Sequence, residues 1–510
     1  MAFRSVVKLQ PEAANRLWRS LCSYGGPTVG AVDEASREFI KTKTKNDFKR
    51  EILELKHPIG CATTVLRRWA DNGREVSSPE LRRFSAKLLK LNRFNHALQI
   101  MDWLESHRRF RLSPADHAIK MELIIKVKGL MEAEDYFQNI SGTASRKAAC
   151  FPLLRGYVEG RDTEKAEAFM AKLNELGLIV SPHLCNLMMK LYMATSQFGK
   201  VLLVIQEMKR NRIPLNVLSY NLWMNASGEI SGVESVEKVY AEMMRDGDVQ
   251  IGWSSLCTLA NVYVKSGKFE KAGLVLKSAE RKLSTCNRLG YLFLITQHAS
   301  LKNKDEVLRL WEASKAVGGR ITCANYICVL SCLVKLGDLV EAERVFREWE
   351  LNHGKYDVRV SNVLLGAYVR NGLMDKAESL HLHTMERGGC PNYKTWEILM
   401  EGWVKSQEME KAIGAMKTAF SMLKDCHWRP SDGIVIAIAK YFEKNGDVEG
   451  ALWYVKTIHD LGFASLPVYK LLLRMHLSSQ KPAFDILQMI ENDKIEMDNE
   501  ARALVRAVKE

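Results

Sequence analysis

A small side chain comes back along this chain at an almost constant interval, and that interval constrains the fold more than any other feature. Ala97, Ala133, Ala166, Val201, Val236, Ala272, Val307, Ala342, Ala377, Ala412 and Ala451 follow one another at 36, 33, 35, 35, 36, 35, 35, 35, 35 and 39 residues. The last interval is stretched by an insertion around "SMLKDCHWRP". A single compact core gives no reason for a fixed period, whereas stacked supersecondary units require one. The stretch "VRVSNVLLGAYVRNGLMDKAESL" (358–380) reads as an amphipathic helix, a short break and the start of a second helix, and its skeleton returns at 183–205 and 255–276. The period therefore predicts an all-α solenoid of about 11–12 helix-turn-helix repeats of 35 residues.

Other columns keep step with this ruler. Nine positions before the small residue stand Tyr157, Tyr192, Tyr263, Tyr368, Trp403 and Phe442, and four positions after it stand Met101, Phe137, Met170, Ile205, Tyr240, Leu276, Trp311 and Phe346. Two helices approach closely only where one side chain is small, and a large neighbour then fills the space beside the crossing. These columns are read as core. Gly267, Gly337, Gly372 and Gly446, five residues before the ruler, suit a helix end that needs a left-handed residue. Polar turns such as "RIPLN", "HGKYD" and "GGCPN" close the units.

At 510 residues, with 47% hydrophobic and 26% charged residues, the chain has the make-up of a folded protein too long for one ordinary core. Its formal charge of +14 makes a polyanion a reasonable partner. No apolar run reaches the roughly 18 residues of a membrane span, and "ITCANYICVLSCLV" reads as a buried helix. The 11 cysteines include no Cys-x-x-Cys pair. Cys323, Cys328 and Cys332 are read as small apolar residues of one helix rather than metal ligands, and the scatter predicts a reducing compartment. The opening "MAFRSVVKLQPEAANRLWRSLCSYGG" sets Arg4, Lys8, Arg16 and Arg19 against Glu12 alone, the pattern of an amphipathic, acid-poor transit peptide. Residues 1–25 are assigned to that peptide, with the mitochondrion favoured over the plastid; 26–77 to a helical region with a degenerate repeat; 78–500 to the array; and 501–510 to a terminal helix end.

Units such as "LSYNLWM", "VSNVLLGAYVRNGLMDKAE" and "RIPLN" resemble the pentatricopeptide repeat, most closely the P class of plant organellar proteins; the tetratricopeptide repeat, a protein-binding scaffold, is the alternative. The resemblance implies a right-handed superhelix whose groove binds single-stranded RNA at about one base per repeat. In that family the fifth residue of a repeat faces a base edge and the last helps to select it. Carried onto this chain, the register pairs Asn186 with Asn216, Asn221 with Gly252, and Asn362 with Asn392. An amide offers a planar donor and acceptor, which a base edge demands. The other fifth positions hold Arg82, Ala118, Phe151, Cys257, Leu292, Ile327, Glu397, Ile436 and Lys470, and most of these cannot read a base.

A further column is independent of that code. Seven residues before the ruler stand Lys90, Lys126, Lys265, Lys335, Arg370, Lys405 and Lys444. On ideal helices they share one face and form a stripe that an RNA backbone would neutralise, although a cation also suits any helix C-terminus. No phosphate-cradling loop, HExxH or Gly-x-Ser-x-Gly elbow occurs, and "HLH" at His381 and His383 is read as solvated surface. The expectation is a non-catalytic organellar RNA-binding protein acting in mitochondrial RNA stabilisation, processing, splicing or translation, with no cofactor, metal, small-molecule substrate or membrane span. The alternatives are a structural subunit or factor of the mitochondrial ribosome, or a protein-binding scaffold.

Overall fold

The computed structural model describes residues 48–55, 61–73, 77–106, 111–178, 181–283, 287–422, 430–480 and 483–509. The transit peptide expected at 1–25 lies outside the described residues, as does most of the insertion near Lys424. Among the described residues there are 27 helices and no strand. The chain divides into two compact units, Met1–Leu283 and Ser284–Glu510. The fold is an all-α helical repeat.

In the first unit the helices pair as α1 (Phe48–Glu54) with α2 (Ala62–Asp71), α3 (Ser78–Lys90) with α4 (Phe94–Ser106), and α5 (Pro114–Val127) with α6 (Leu130–Asn139). There follow α7 (Thr143–Gly160) with α8 (Thr163–Glu175), α9 (Pro182–Ala194) with α10 (Phe198–Arg210), α11 (Val217–Ser231) with α12 (Val233–Arg245), and α13 (Trp253–Lys265) with α14 (Phe269–Arg281). The second unit pairs α15 (Arg288–Ser300) with α16 (Lys304–Lys315), α17 (Cys323–Lys335) with α18 (Leu339–Asn352), and α19 (Val358–Arg370) with α20 (Met374–Glu386). It continues with α21 (Tyr393–Lys405) and α22 (Met409–Ser421), α23 (Asp432–Asn445) and α24 (Val448–Asp460), α25 (Leu466–Ser478) and α26 (Phe484–Asn492), and ends on α27 (Asn499–Lys509).

The ruler has a single structural meaning. Every one of its residues, from Ala97 in α4 to Ala451 in α24, is the fourth residue of the second helix of its hairpin. All are at most 1% exposed, so nothing larger fits where the helices cross. The aromatic column before it (Tyr157, Tyr192, Tyr263, Tyr368, Trp403, Phe442) is buried throughout. Within each unit, from α3 to α25, successive first helices pack side by side, and each second helix sits against its own first helix and the next one. The first helices thus form a continuous wall.

The hinge between paired helices recurs in nine of the eleven ruled hairpins, the other two placing Gly129 and Gly232 one residue later. Gly267, Gly337, Gly372 and Gly446 adopt φ of +72°, +79°, +72° and +65°, the left-handed conformation expected of them. Asn92, Arg161, Ser196, Lys302 and Gln407 stand at the same offset with φ between 56° and 64°, so the backbone demands this turn even where no glycine supplies it.

Consecutive hairpins are fastened by a recurring polar clasp. The glutamate one residue after the ruler accepts hydrogen bonds from two residues of the next hairpin: the aromatic at the ninth position before its ruler and the lysine just before that ruler. Tyr192 Oη and Lys200 Nζ reach Glu167 at 2.9 and 2.6 Å. Tyr263 and Lys271 reach Glu237 at 2.9 and 3.0 Å, and Tyr368 and Lys376 reach Glu343 at 2.8 and 3.0 Å. Trp403 Nε1 and Lys411 reach Glu378 at 2.5 and 2.7 Å, and Lys165 pairs with Glu134 at 3.1 Å beside Tyr157. Each carboxylate is held by charge-assisted bonds from a neighbour, which locks the phase between repeats as well as adding energy. Hydrogen bonding to Lys200, and then to Tyr192, keeps Glu167 below the usual carboxylate range. Burial, and then the Glu237 carboxylate, push Tyr263 up to about 12.

Candidate nucleic-acid interface

The residues singled out by the sequence all lie on first helices or on the turns that precede them. Asn216 and Asn392 are the caps of α11 and α21, their side chains accepting from the backbone N–H of Ser219 and Thr395 at 3.0 and 3.1 Å. From those positions they face the fifth residue of the preceding hairpin. Asn186 Nδ2 donates to Asn216 Oδ1 at 3.1 Å, and Asn362 Nδ2 donates to Asn392 Oδ1 at 3.3 Å. The structure therefore brings the two expected pairs together.

A third partner closes each pair. Ser219 Oγ donates to Asn186 Oδ1 at 2.9 Å, and Thr395 Oγ1 donates to Asn362 Oδ1 at 3.0 Å. Sequence reasoning missed Ser219 and Thr395. Their signal was the spacing Asn-x-x-Ser and Asn-x-x-Thr, a capping box at the start of α11 and α21. Both amides are thereby satisfied internally.

Asn221 is different because glycine occupies its capping partner's position. Gly252 caps α13 without a side chain. Asn221 is 8% exposed, and its Oδ1 has no hydrogen-bond partner; neither does the buried Oγ of Ser255, which stands at the offset of Ser219 and Thr395. A buried orphan acceptor costs about 1–3 kcal/mol unless something outside the chain meets it. Of the three fifth-position asparagines, this one is open.

The remaining fifth positions do other work. Cys257 and Leu292 are buried in the wall. Arg82 pairs at 2.8 Å with Asp116, which completes the capping box of α5 with the cap residue Ser113. Phe151 is among the exposed large apolar side chains.

The basic column is well defined in space. Lys90, Lys265, Lys335, Arg370 and Lys405 are the last residues of their helices, Lys126 and Lys444 the last but one, and all seven are exposed. Neighbouring places of the column touch: Lys335 Nζ donates to Ser300 Oγ at 2.9 Å, Lys126 lies 3.9 Å from Glu159, and Lys265 pairs with Glu229. Glu159, Glu229 and Ser300 each stand seven residues before their own ruler position, so the column is one physical row within each unit. It is not purely cationic. Two of its places hold carboxylates that the sequence reading, collecting only the basic members, passed over.

Over 455 residues, 88% of this chain and 92% of the relative, the sequence is 57% identical to pentatricopeptide repeat-containing protein At5g27460 of Arabidopsis thaliana. The chain belongs to the pentatricopeptide repeat family. The PPR repeat pattern of that family matches residues 183–213, 325–352 and 360–389, segments that carry Asn186, Lys335, Asn362 and Arg370. The chain is also 30% identical over 474 residues to the Arabidopsis thaliana pentatricopeptide repeat-containing protein At4g21705, mitochondrial, covering 92% of this chain and 96% of that one. Among solved structures it is similar to the pentatricopeptide repeat protein PPR10 in complex with an 18-nt psaJ RNA element, at 16% identity and a TM-score of 0.38, over 97% of this chain and 86% of that one.

Elsewhere on this pentatricopeptide repeat chain, one expectation is corrected. His381 is not solvated surface: it is buried in α20, 5.2 Å from the Trp396 ring, and burial holds its imidazole below the usual value. His383, on the other side of the helix, meets Glu350 at 2.9 Å. Among the described residues no group of three or more His, Cys, Asp or Glu is placed to hold a metal, and no helix is long and apolar enough to cross a membrane.

Proposed function

We propose that this protein binds single-stranded RNA without catalysing a reaction on it, in the mitochondrion, and acts there in the stabilisation, processing, splicing or translation of transcripts. The observation that carries the reading is the row of first-helix ends, where residues one repeat apart touch and Lys90, Lys126, Lys265, Lys335, Arg370, Lys405 and Lys444 recur. Cations recurring along the wall of first helices in each unit suit the phosphates of an extended strand, and binding releases the strand's counterions. Asn186 with Asn216, Asn362 with Asn392, and Asn221 alone supply the base-facing amides in this reading. Membership of the family supports the substrate class, and relatives whose names place them in the mitochondrion support the compartment. Function consists of occupying a strand and shielding it.

The test is equilibrium binding of the full chain to single-stranded RNA across a salt series. Log affinity should fall linearly with log salt, at about 0.7 per phosphate neutralised. Failure to bind any single-stranded RNA at low salt would end the reading. A second role, as a structural component of the mitochondrial ribosome, is favoured by the fifth positions Cys257 and Leu292, which are buried and offer no group to read a base edge. Co-sedimentation with ribosomal subunits in moderate salt would select it.

A further inference from the structure

The two units treat the row of first-helix ends in opposite ways. In the first unit, carboxylates stand in the row beside the cations: Glu229 pairs with Lys265, and Glu159 lies 3.9 Å from Lys126. Glu159 also lies 3.6 Å from Arg155, which in turn meets Glu122 at 2.7 Å. Lys126, Glu159, Arg155 and Glu122 form an alternating network across α5 and α7, each charge already answered by the protein. Only Lys90 in that unit's row has no acidic partner among the described residues.

The second unit's row runs Ser300, Lys335, Arg370, Lys405, Lys444 and contains no acid. Lys335 donates to a neutral hydroxyl, that of Ser300. Arg370 has no ion-pair partner among the described residues, and its guanidinium lies back over Gly366, where an added Cβ would stand 3.2 Å from Nη1. The places one turn before Ser300, Lys335 and Arg370 hold Thr296, Ser331 and Gly366, small groups that leave the cations uncovered. Two acids come near: Glu401 pairs with Lys405 along the same helix at 2.7 Å, and Glu443 is taken by Arg474 at 3.0 Å. The first row therefore sets three cations against two acids, and the second sets four against none.

We infer that the second unit carries the backbone-binding surface for single-stranded RNA, and that the first unit's row is closed against phosphate by Glu159 and Glu229. This rests on the RNA-binding reading above. A phosphate approaching Lys265 or Lys126 must displace a carboxylate already in place. One approaching Lys335, Arg370 or Lys444 displaces water and a hydroxyl, and gains the full counterion-release term. The carboxylates act as built-in competitors of the nucleic acid.

The experiment is fluorescence anisotropy of the full chain with a labelled oligouridine about a dozen nucleotides long, titrated from low to physiological salt. Lys335→Gln with Arg370→Gln should weaken binding and reduce the salt slope by about 1.4, at about 0.7 per lost cation. Glu159→Gln with Glu229→Gln, which keeps the side-chain shape, should do the reverse: affinity rises, and the slope steepens by up to about 1.4 as Lys126 and Lys265 are freed. If the glutamine pair in the first unit leaves affinity and slope unchanged, or if Lys126→Gln with Lys265→Gln costs as much as the pair in the second unit, the inference is overturned while RNA binding itself stands. If the unaltered chain does not bind oligouridine at low salt, the functional reading falls and takes the inference with it.

Discussion

At Gln407 the backbone turns with φ of 64°, as it does at Gly337 and Gly372 with 79° and 72°. A side chain in that conformation costs roughly 1–2 kcal/mol. Gln407→Gly should therefore raise stability by up to about 1 kcal/mol, part of the gain being lost to the extra freedom of the unfolded chain. A higher urea midpoint with an unchanged slope would check it. The glycine column was legible in the sequence only where glycine itself stood. Where Asn92, Arg161, Ser196, Lys302 or Gln407 fills the place, no propensity rule reveals the turn, and only the ruler locates it. The asparagines separate on similar grounds. Asn186→Ala removes an amide bonded to both Asn216 and Ser219, so its main effect should be a loss of about 1 kcal/mol in stability. Asn221→Ala removes an acceptor with no partner in the chain, so its main effect should be on RNA affinity, with stability unchanged or slightly raised. Melting and binding measured on both variants would show the crossover. Sequence alone gave the three asparagines equal standing because Gly252 is silent about what it leaves unsatisfied.

The hairpin and its clasps set the behaviour of the elements. The ruler, the aromatic column and the break were all legible, because each follows from steric demands that recur wherever two helices cross at one angle. The clasps were not. Glu167, Glu237, Glu343 and Glu378 look like ordinary surface residues in sequence, and their partners lie about 25 to 34 residues on. Hydrogen bonds from Lys271 and Tyr263 lower Glu237, and those from Lys411 and Trp403 lower Glu378. At Glu343, burial opposes the shift but bonds from Tyr368 and Lys376 outweigh it. A carboxylate lowered on folding stabilises the folded state above its unfolded value of about 4.3 and loses that contribution as pH falls through the folded value. His381 is lowered by burial, so the unfolded chain binds its proton first, and stability falls as pH drops below about 6.5. Acid should thus weaken the array in two stages. Burial lowers His117 as well, so His381→Leu should shrink the upper stage and leave the lower one, as read from urea midpoints between pH 8 and about pH 3. Tyr368→Phe, which deletes one donor to Glu343, should cost about 1 kcal/mol at neutral pH and less in acid.

On the scale of the molecule, repeats touch only their neighbours, so stability is close to a sum of hairpin terms and nearest-neighbour terms. Ala377→Leu puts a large side chain where a fully buried small one sits and should cost about 1–3 kcal/mol. Hydrogen exchange should show protection lost in α19 to α22 and retained in α25 and α26; uniform loss along the second unit would contradict a nearest-neighbour chain. The whole-molecule fold was the most legible level, since a period sustained over hundreds of residues admits few architectures. The division into two compact units leaves no mark on the period and cannot be read from the sequence. The clasps carry one more consequence. Because the glutamates of neighbouring clasps, Glu343 and Glu378, are answered by the same two places in the hairpin that follows, those joints are interchangeable. Excising residues 344–378, one whole period, would set Glu343 opposite Trp403 and Lys411, where Glu378 now stands. The chain is built so that a link can be removed and the ends rejoined without altering the fastener, which is how such an array can shorten or lengthen and still close.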